Sequence, residues 1–191
     1  MSRDYPLGLG DPMAHLRVYM EHRFNVIGLT QLAGVEPLVS GEIAAISAEG
    51  GNGWRKVFSV YAKLVFALGA AGDEDGTRYA RWQQYRDERL LQGGSGTALL
   101  FSPPMFNDAD IVNETGNQAV HIIMGRTYAK QLLASEHLQC QWQWLDHEFA
   151  LDKDLRLVVC PYFDYRQLTN VKLQRLVAII ESLRLPTAAL T

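Results

Sequence analysis

A chain of 191 residues, 48% of them hydrophobic and 20% charged, is long enough for one domain with a substantial core and too short for two ordinary ones. The composition excludes an intrinsically disordered chain, and a formal net charge of −3 excludes a global basic field, so any binding of nucleic acid would rest on a local patch. The two cysteines, Cys140 and Cys160, form no CxxC pair and have no second ligand cluster near them, which argues against a zinc centre and for reduced thiols in a cytosolic protein.

The opening "MSRDYPLGLGDP" has no apolar h-region, and no apolar run reaches the roughly 18 residues of a membrane-spanning helix. A cytoplasmic protein with no membrane contact is expected. After the turn-rich "GLGDP", the stretch "HLRVYMEH" (15–22) sets Leu16, Val18 and Met20 against Arg17, Tyr19 and Glu21, the period of a strand with one buried face. "SGEIAAIS" (40–47) predicts a short helix capped by Ser40, with Ile43 and Ile46 inward. In "NGWRKVFSVYAKLVFALG", Trp54, Val57, Phe58, Tyr61, Leu64, Val65 and Leu68 keep helical spacing, with Asn52 as the cap and Gly69 and Gly72 as stops. "TRYARWQQYRDERLLQ" (77–92) predicts a charged helix lying across the surface.

"TALLFS" (97–102) and "AVHIIMG" (119–125) are continuous apolar runs of strand length, as expected for strands covered on both faces. The second leads at once into "RTYAKQLLASE", with Tyr128, Ala129, Leu132 and Leu133 at helical spacing. "QCQWQWLDHEF" (139–149) alternates Cys140, Trp142 and Trp144 with glutamines and predicts an edge strand. "LRLVVC" (155–160) predicts a further strand, and a helix from Asn170 to about Leu185 closes the chain with Leu173, Leu176, Val177, Ile180 and Leu183 inward. Strands alternating with long helices predict a single α/β domain over 1–191: three layers, with a four- or five-stranded, mainly parallel sheet and helices on both faces.

Open α/β sheets bind ligands where the carboxyl ends of their strands meet helix N-termini and loops. Four such ends carry the candidate residues. The first supplies Glu21, His22 and Arg23; the second Ser102 and, further on, Asn107; the third Gly125, Arg126 and Thr127; the fourth Tyr162, Asp164, Tyr165 and Arg166. Glu21 with His22 is a candidate acid–base pair. Gly125 before a helix leaves backbone N–H groups for an anion, with Arg126 adding charge. Tyr162, Phe163, Tyr165 and Arg166 offer flat faces and a planar cation for stacking on a base, while Asp164 and Asn170 have the chemistry to organise the turn and cap the helix. His121, inside an apolar strand, reads as a core histidine with a satisfied ring, and His147, between Asp146 and Glu148, as part of a polar strand face. No metal site and no cofactor are expected: neither a GxGxxG nor a Walker loop occurs, and no GxSxG elbow supports a hydrolase.

The order "TALLFSPP", "VHIIMGRTYAKQL", "LRLVVCPYFDYRQLTNVKLQRLVAII" resembles the later half of the uracil-DNA glycosylase superfamily over residues 97–184. There a strand ending in glycine enters a helix of GxxA flavour, matched by Gly125 to Ala129, and a last strand enters a His-Pro-Ser loop, where this chain has Cys160-Pro161-Tyr162. The resemblance implies a glycosylase-like fold in a bacterial branch that kept the scaffold without the usual catalytic motifs, with Glu21 or Asn107 in the family's water-positioning role. Cys160 stands where the family's base-stabilising histidine would be, and a thiol is the poorer donor to an oxyanion.

Three functions follow as expectations. The first is a glycosylase-like domain binding a nucleotide, a base or a nucleic-acid end in a strand-end pocket, with the reaction open. The second is a small-molecule enzyme working through Glu21 and His22. The third is a non-catalytic interaction module, such as a homodimer, using the aromatic loop and the "RYARWQQYRDE" helix.

Overall fold

The computed structural model describes residues 6–21, 29, 31–69, 79–106 and 119–184. The four segments with the strongest strand patterns become β2 (Leu16–Tyr19), β4 (Thr97–Leu100), β5 (Val120–Met124) and β8 (Leu157–Cys160). They lie side by side in the order β4-β2-β5-β8, every neighbouring pair parallel, with Leu16 opposite Thr97 and Val120, and Met124 opposite Cys160.

The described sheet has eight strands rather than four or five, and it is mixed. Of the edge strand expected over 139–149, Gln143–Trp144 pairs as β6 and does end the sheet; the additions are β1 (Gly8–Gly10), β3 (Val35–Glu36) and β7 (Ala150–Asp152), and the full order is β3-β1-β4-β2-β5-β8-β7-β6. β1 is antiparallel to β4, β7 to β8 and β6 to β7. None of these three additions is long enough to show a side-chain period of its own. Backbone pairing with a neighbour makes them strands: β1 finds the remote β4, whereas β7 pairs with β6 and β8 on either side of it in the chain. β1 occupies "GLG", which composition reads as turn. A Cβ on Gly10 would stand 2.3 Å from the Thr97 carbonyl oxygen and 2.8 Å from the Ala98 Cα, so glycine is what lets β1 lie against β4.

Five helices are described: α1 (Glu42–Gly50), α2 (Asn52–Ala67), α3 (Trp82–Glu88), α4 (Arg126–Ala134) and α5 (Asn170–Arg184). The pleat sends Val18, Met20, Leu99, Ile122, Met124, Val158 and Cys160 to one side, where they pack with α1, α2, α3 and α5. Tyr19, Ala98, Leu100, Ile123, Leu157 and Val159 face the other side, which α4 covers through Tyr128, Ala129 and Leu132. Helices therefore lie on both faces of a largely parallel sheet. The buried Tyr61 of α2 donates to the carbonyls of Leu16 and Ala98, at 2.8 and 3.0 Å, and fixes that helix across β2 and β4.

Local details differ from the sequence-based expectations. Gly41, in the left-handed region, precedes α1 in place of a Ser40 cap, and the Glu42 carboxylate accepts the Val39 N–H at 2.7 Å. Gly51, not Asn52, precedes α2. The helix expected over 77–92 is described only as α3, with 77 and 78 outside the described residues. It stops because Leu90 and Leu91 are buried and Leu91 turns to φ +60°, which drives both leucines into the core. Tyr85 of α3 is buried as well, so this helix is seated in the core rather than laid over it. Among the described residues, no helix is long and apolar enough to cross a membrane.

Candidate functional site

Numbered by chain order within the parallel core, the strands run second, first, third, fourth. The order reverses between β2 and β5, and at such a switch point flanking connections diverge to opposite faces and open a crevice at the carboxyl edge. Because β2, β4, β5 and β8 are parallel, their exits at Glu21, Phe101, Gly125 and Pro161 share that edge. His22, Arg23 and Asn107 lie outside the described residues.

Glu21 is exposed and close enough to α4 that, after burial, its charge is the second cause holding the Tyr128 hydroxyl up at about 12. Ser102 is engaged by the backbone, its Oγ accepting the Leu7 N–H at 3.2 Å, while the Phe101 N–H donates to the Leu7 carbonyl at 2.7 Å. Gly125 enters α4 at φ +93° and ψ 130°, and its own N–H donates to the Cys160 carbonyl at 2.8 Å. Arg126, exposed, donates from Nη1 to the His147 carbonyl at 2.9 Å, and Thr127 is exposed beside it. A Cβ on Gly125 would meet no atom within 4 Å, so the glycine is there for its dihedral angles and not for close approach. Gly125→Ala is expected to cost about 1–3 kcal/mol through backbone strain alone, read as a lower urea midpoint with an unchanged slope.

The 161–168 loop is anchored from below. Phe163 is fully buried with its ring edge-on to Tyr61, 5.9 Å between centroids, so it belongs to the core and offers no stacking face. Tyr162 is half-buried, and its hydroxyl has no hydrogen-bond partner among the described residues; burial and then the Asp164 charge hold it at about 12. Asp164 accepts from Lys56 Nζ at 2.6 Å and from the Arg166 N–H at 2.9 Å. Burial raises this carboxyl, but the Lys56 bond, the Arg166 N–H and both cationic charges outweigh it and leave the group below its ordinary value. The Asp164 carbonyl also accepts the N–H groups of Gln167 and Leu168, so this residue organises the turn as expected. At the start of α5 it is Thr169, not Asn170, whose carbonyl and Oγ1 accept the Leu173 and Lys172 N–H groups. Tyr165 alone among the loop aromatics presents its ring to solvent: it is 53% exposed, with Lys56 Nζ 5.1 Å and the Arg166 guanidinium 6.0 Å from its centroid.

Residues 145–149 come to the same edge because β7 runs antiparallel to β8, which puts Ala150 opposite Val159. Asp146 pairs with Arg175 and Glu148 with Lys172, while the Asp146 carboxylate accepts the Glu148 and Phe149 N–H groups, which together hold its pKa at about 2. His147 is thus in an ion-paired surface turn, and no cluster of three metal-ligating side chains occurs among the described residues.

Residues that the sequence analysis treats as ordinary strand positions form a second constellation. On the α4 side of the sheet, the Tyr19 hydroxyl and His121 Nδ1 lie 2.7 Å apart, both residues buried, and the Phe106 ring rests on the imidazole with centroids 4.8 Å apart. Beside them a cavity of about 160 Å³ is bounded by Pro6, Arg17, Tyr19, Leu100, Pro103, Met105 and Phe106. Its signal in the sequence is an Arg and a His inside strand segments, but their meeting with Phe106 depends on pairings far apart in the chain. A larger depression of about 290 Å³ lies between α1, α2 and α3 along Ile43, Ser47, Arg55, Arg86 and Asp87. There Arg86 is already occupied by Asp87 and Ser59.

Residues 7–181 match the model of a family of unknown function, DUF6942. No curated protein and no solved structure matches the chain.

Proposed function

We propose, from the premise that the chain belongs to the DUF6942 family of unknown function, that its strand-end edge binds a nucleotide, a base or a nucleic-acid end. The observation that carries this reading is the Tyr165 ring, exposed at the carboxyl edge of the parallel strands and flanked by Lys56 and Arg166. A flat ring between two cations suits a stacked base with a phosphate beside it. Lys56 and Asp164 hold the platform in place, which lowers the entropy lost on binding.

The likeness to uracil-DNA glycosylases enters as a proposal about the scaffold only. Cys160, at the histidine position, is fully buried with its thiol pushed up by burial, so this side chain has no route to a departing base. Binding without glycosidic cleavage by that group is the reading the geometry supports.

Titration of a short single-stranded oligonucleotide and of a nucleoside monophosphate at low salt tests it. Both are expected to bind, the oligonucleotide with the steeper salt dependence because it offers more phosphates, and Tyr165→Ala to weaken binding by about tenfold, in line with roughly 1–3 kcal/mol per stacked base. Absence of binding at low salt, or a Tyr165→Ala affinity equal to that of the parent, overturns it.

A further inference from the structure

The sheet face under α4 is built mostly of Ala98, Leu100, Ile123, Leu157 and Val159, yet its β2 and β5 positions also carry Arg17, Tyr19 and His121. Placing polar groups on a buried face costs stability relative to an apolar filling, and folds keep such groups chiefly where they serve a site. Here Arg17 and Tyr19 border an open volume, with His121 behind Tyr19. At about 160 Å³, the cavity matches the size of an apolar protein cavity of about 150 Å³ that accommodates benzene, and falls short of the ~300 Å³ or more typical of larger ligands. Its dimensions select one ring.

The lining sorts by chemistry. Leu100, Pro103, Met105 and Phe106 supply apolar and aromatic surface, while Arg17 and Tyr19 supply the polar wall. Arg17 Nε donates to the Ala14 carbonyl at 3.0 Å, which fixes the side chain, and a guanidinium carries five N–H donors in a planar fork. Behind Tyr19, His121 is neutral at ordinary pH, since burial first and the Arg17 charge second bring its pKa down to about 3. A neutral imidazole has one donor and one acceptor nitrogen, so the Tyr19–His121 pair can turn its hydroxyl proton either toward the ring nitrogen or away from it.

We infer that this cavity is a binding site for a single planar ring bearing an anionic or carbonyl oxygen, with the ring beside Phe106 and against Leu100 and Pro103, its oxygen toward Arg17, and Tyr19 as the adaptable second contact. Tyr19 and Leu100 are the last residues of β2 and β4, so the site lies just inside the carboxyl edge. It goes beyond the nucleotide reading, which concerns Tyr165, and stands without it. An aromatic carboxylate and a pyrimidine base share the required chemistry.

Three probes, benzoate, uracil and benzyl alcohol, are titrated into isotope-labelled protein and followed by amide chemical shifts. The expected result is saturable binding of benzoate or uracil, with shifts centred on residues 17–19, 100–106 and 121. Arg17→Met weakens that binding by at least about tenfold and changes benzyl alcohol by less than about twofold. Met105→Trp fills the cavity from its exposed rim and abolishes binding of all three; at 45% exposure Met105 can be changed without loss of the core, and a thermal melt verifies the fold of both variants. Preference between benzoate and uracil identifies which source supplies the ring. No saturable shift with any probe, shifts centred elsewhere, or an Arg17→Met titration indistinguishable from the parent overturns the inference. Because Tyr165→Ala leaves this cavity intact, loss of nucleotide binding in that variant with ring binding retained separates the two sites.

Discussion

Trp54→Ala is expected to lower the free energy of unfolding by about 3–5 kcal/mol, the range for removing a fully buried large aromatic. Trp54 is 0% exposed in the first turn of α2, stacked on Phe58 with centroids 5.3 Å apart and edge-on to Phe101 at 6.0 Å and 87°. Truncation leaves a cavity at the junction of α2 with the exit of β4, where two aromatic contacts end together. Urea denaturation followed by circular dichroism measures the change, with Val171→Ser as a reference at 81% exposure that is expected to stay within about 0.5 kcal/mol of the parent. A Trp54→Ala loss below about 1 kcal/mol contradicts the packing described. Since Phe101 leads directly into the 103–106 wall, the variant is also expected to weaken ring binding while leaving Tyr165 in place.

The second large effect is acid destabilisation beginning near pH 6.5. His121 is held neutral in the fold, with its pKa at about 3, by burial and by the Arg17 cation, while in the unfolded chain it protonates near 6.5. The unfolded state therefore binds more protons between these values, so stability is complete above pH 6.5 and falls as pH drops toward 3, by roughly 1 kcal/mol per pH unit. His15, lowered in the same direction by burial and the Arg184 charge against an opposing pull from Asp11, adds to the trend. The check is the urea midpoint from pH 7 to pH 4 in the parent and in His121→Gln. The glutamine amide can still bond Tyr19 but does not titrate, so its acid limb is expected to be the flatter of the two; parallel limbs would refute the assignment.

What can be read in advance follows a physical division. β4, β5 and β8 are legible because apolar runs between glycine, proline and loop residues need burial on both faces, and α2 because Trp54 to Val65 mark one stripe. From those strands the parallel core and its shared carboxyl edge follow, as does the grouping of Glu21, Ser102, Gly125 and the 161–166 loop along that edge. Of the edge strand read over 139–149 only Gln143–Trp144 pairs, as β6, and β1, β3 and β7 are not legible, since two or three residues hold no period and β1 finds its main partner in the remote β4. The side-chain commitments are hidden for the same reason: Ser102 is spoken for by Leu7 and Arg126 by His147. The sequence marks His121 as a satisfied core histidine, but its partner Tyr19 sits 102 residues away, and local pattern gives no hint of that distance.

The placement of the first two strands constrains how the chain comes together. Gly8 to Gly10 pair with Leu100 to Ala98, and β2 pairs with β4 and β5. Before residue 97 exists, β2 therefore has no sheet partner at all, and β1 has only the two residues of β3. During synthesis at roughly 5–20 residues per second, the stretch from β2 to β4 leaves both edges of β2 unpaired for on the order of 4–16 s, even where α2 already covers its Val18 and Met20 side. Those open edges are the aggregation hazard of the nascent chain, and slowing of translation before residue 97 should raise its aggregation more than the same slowing after residue 124.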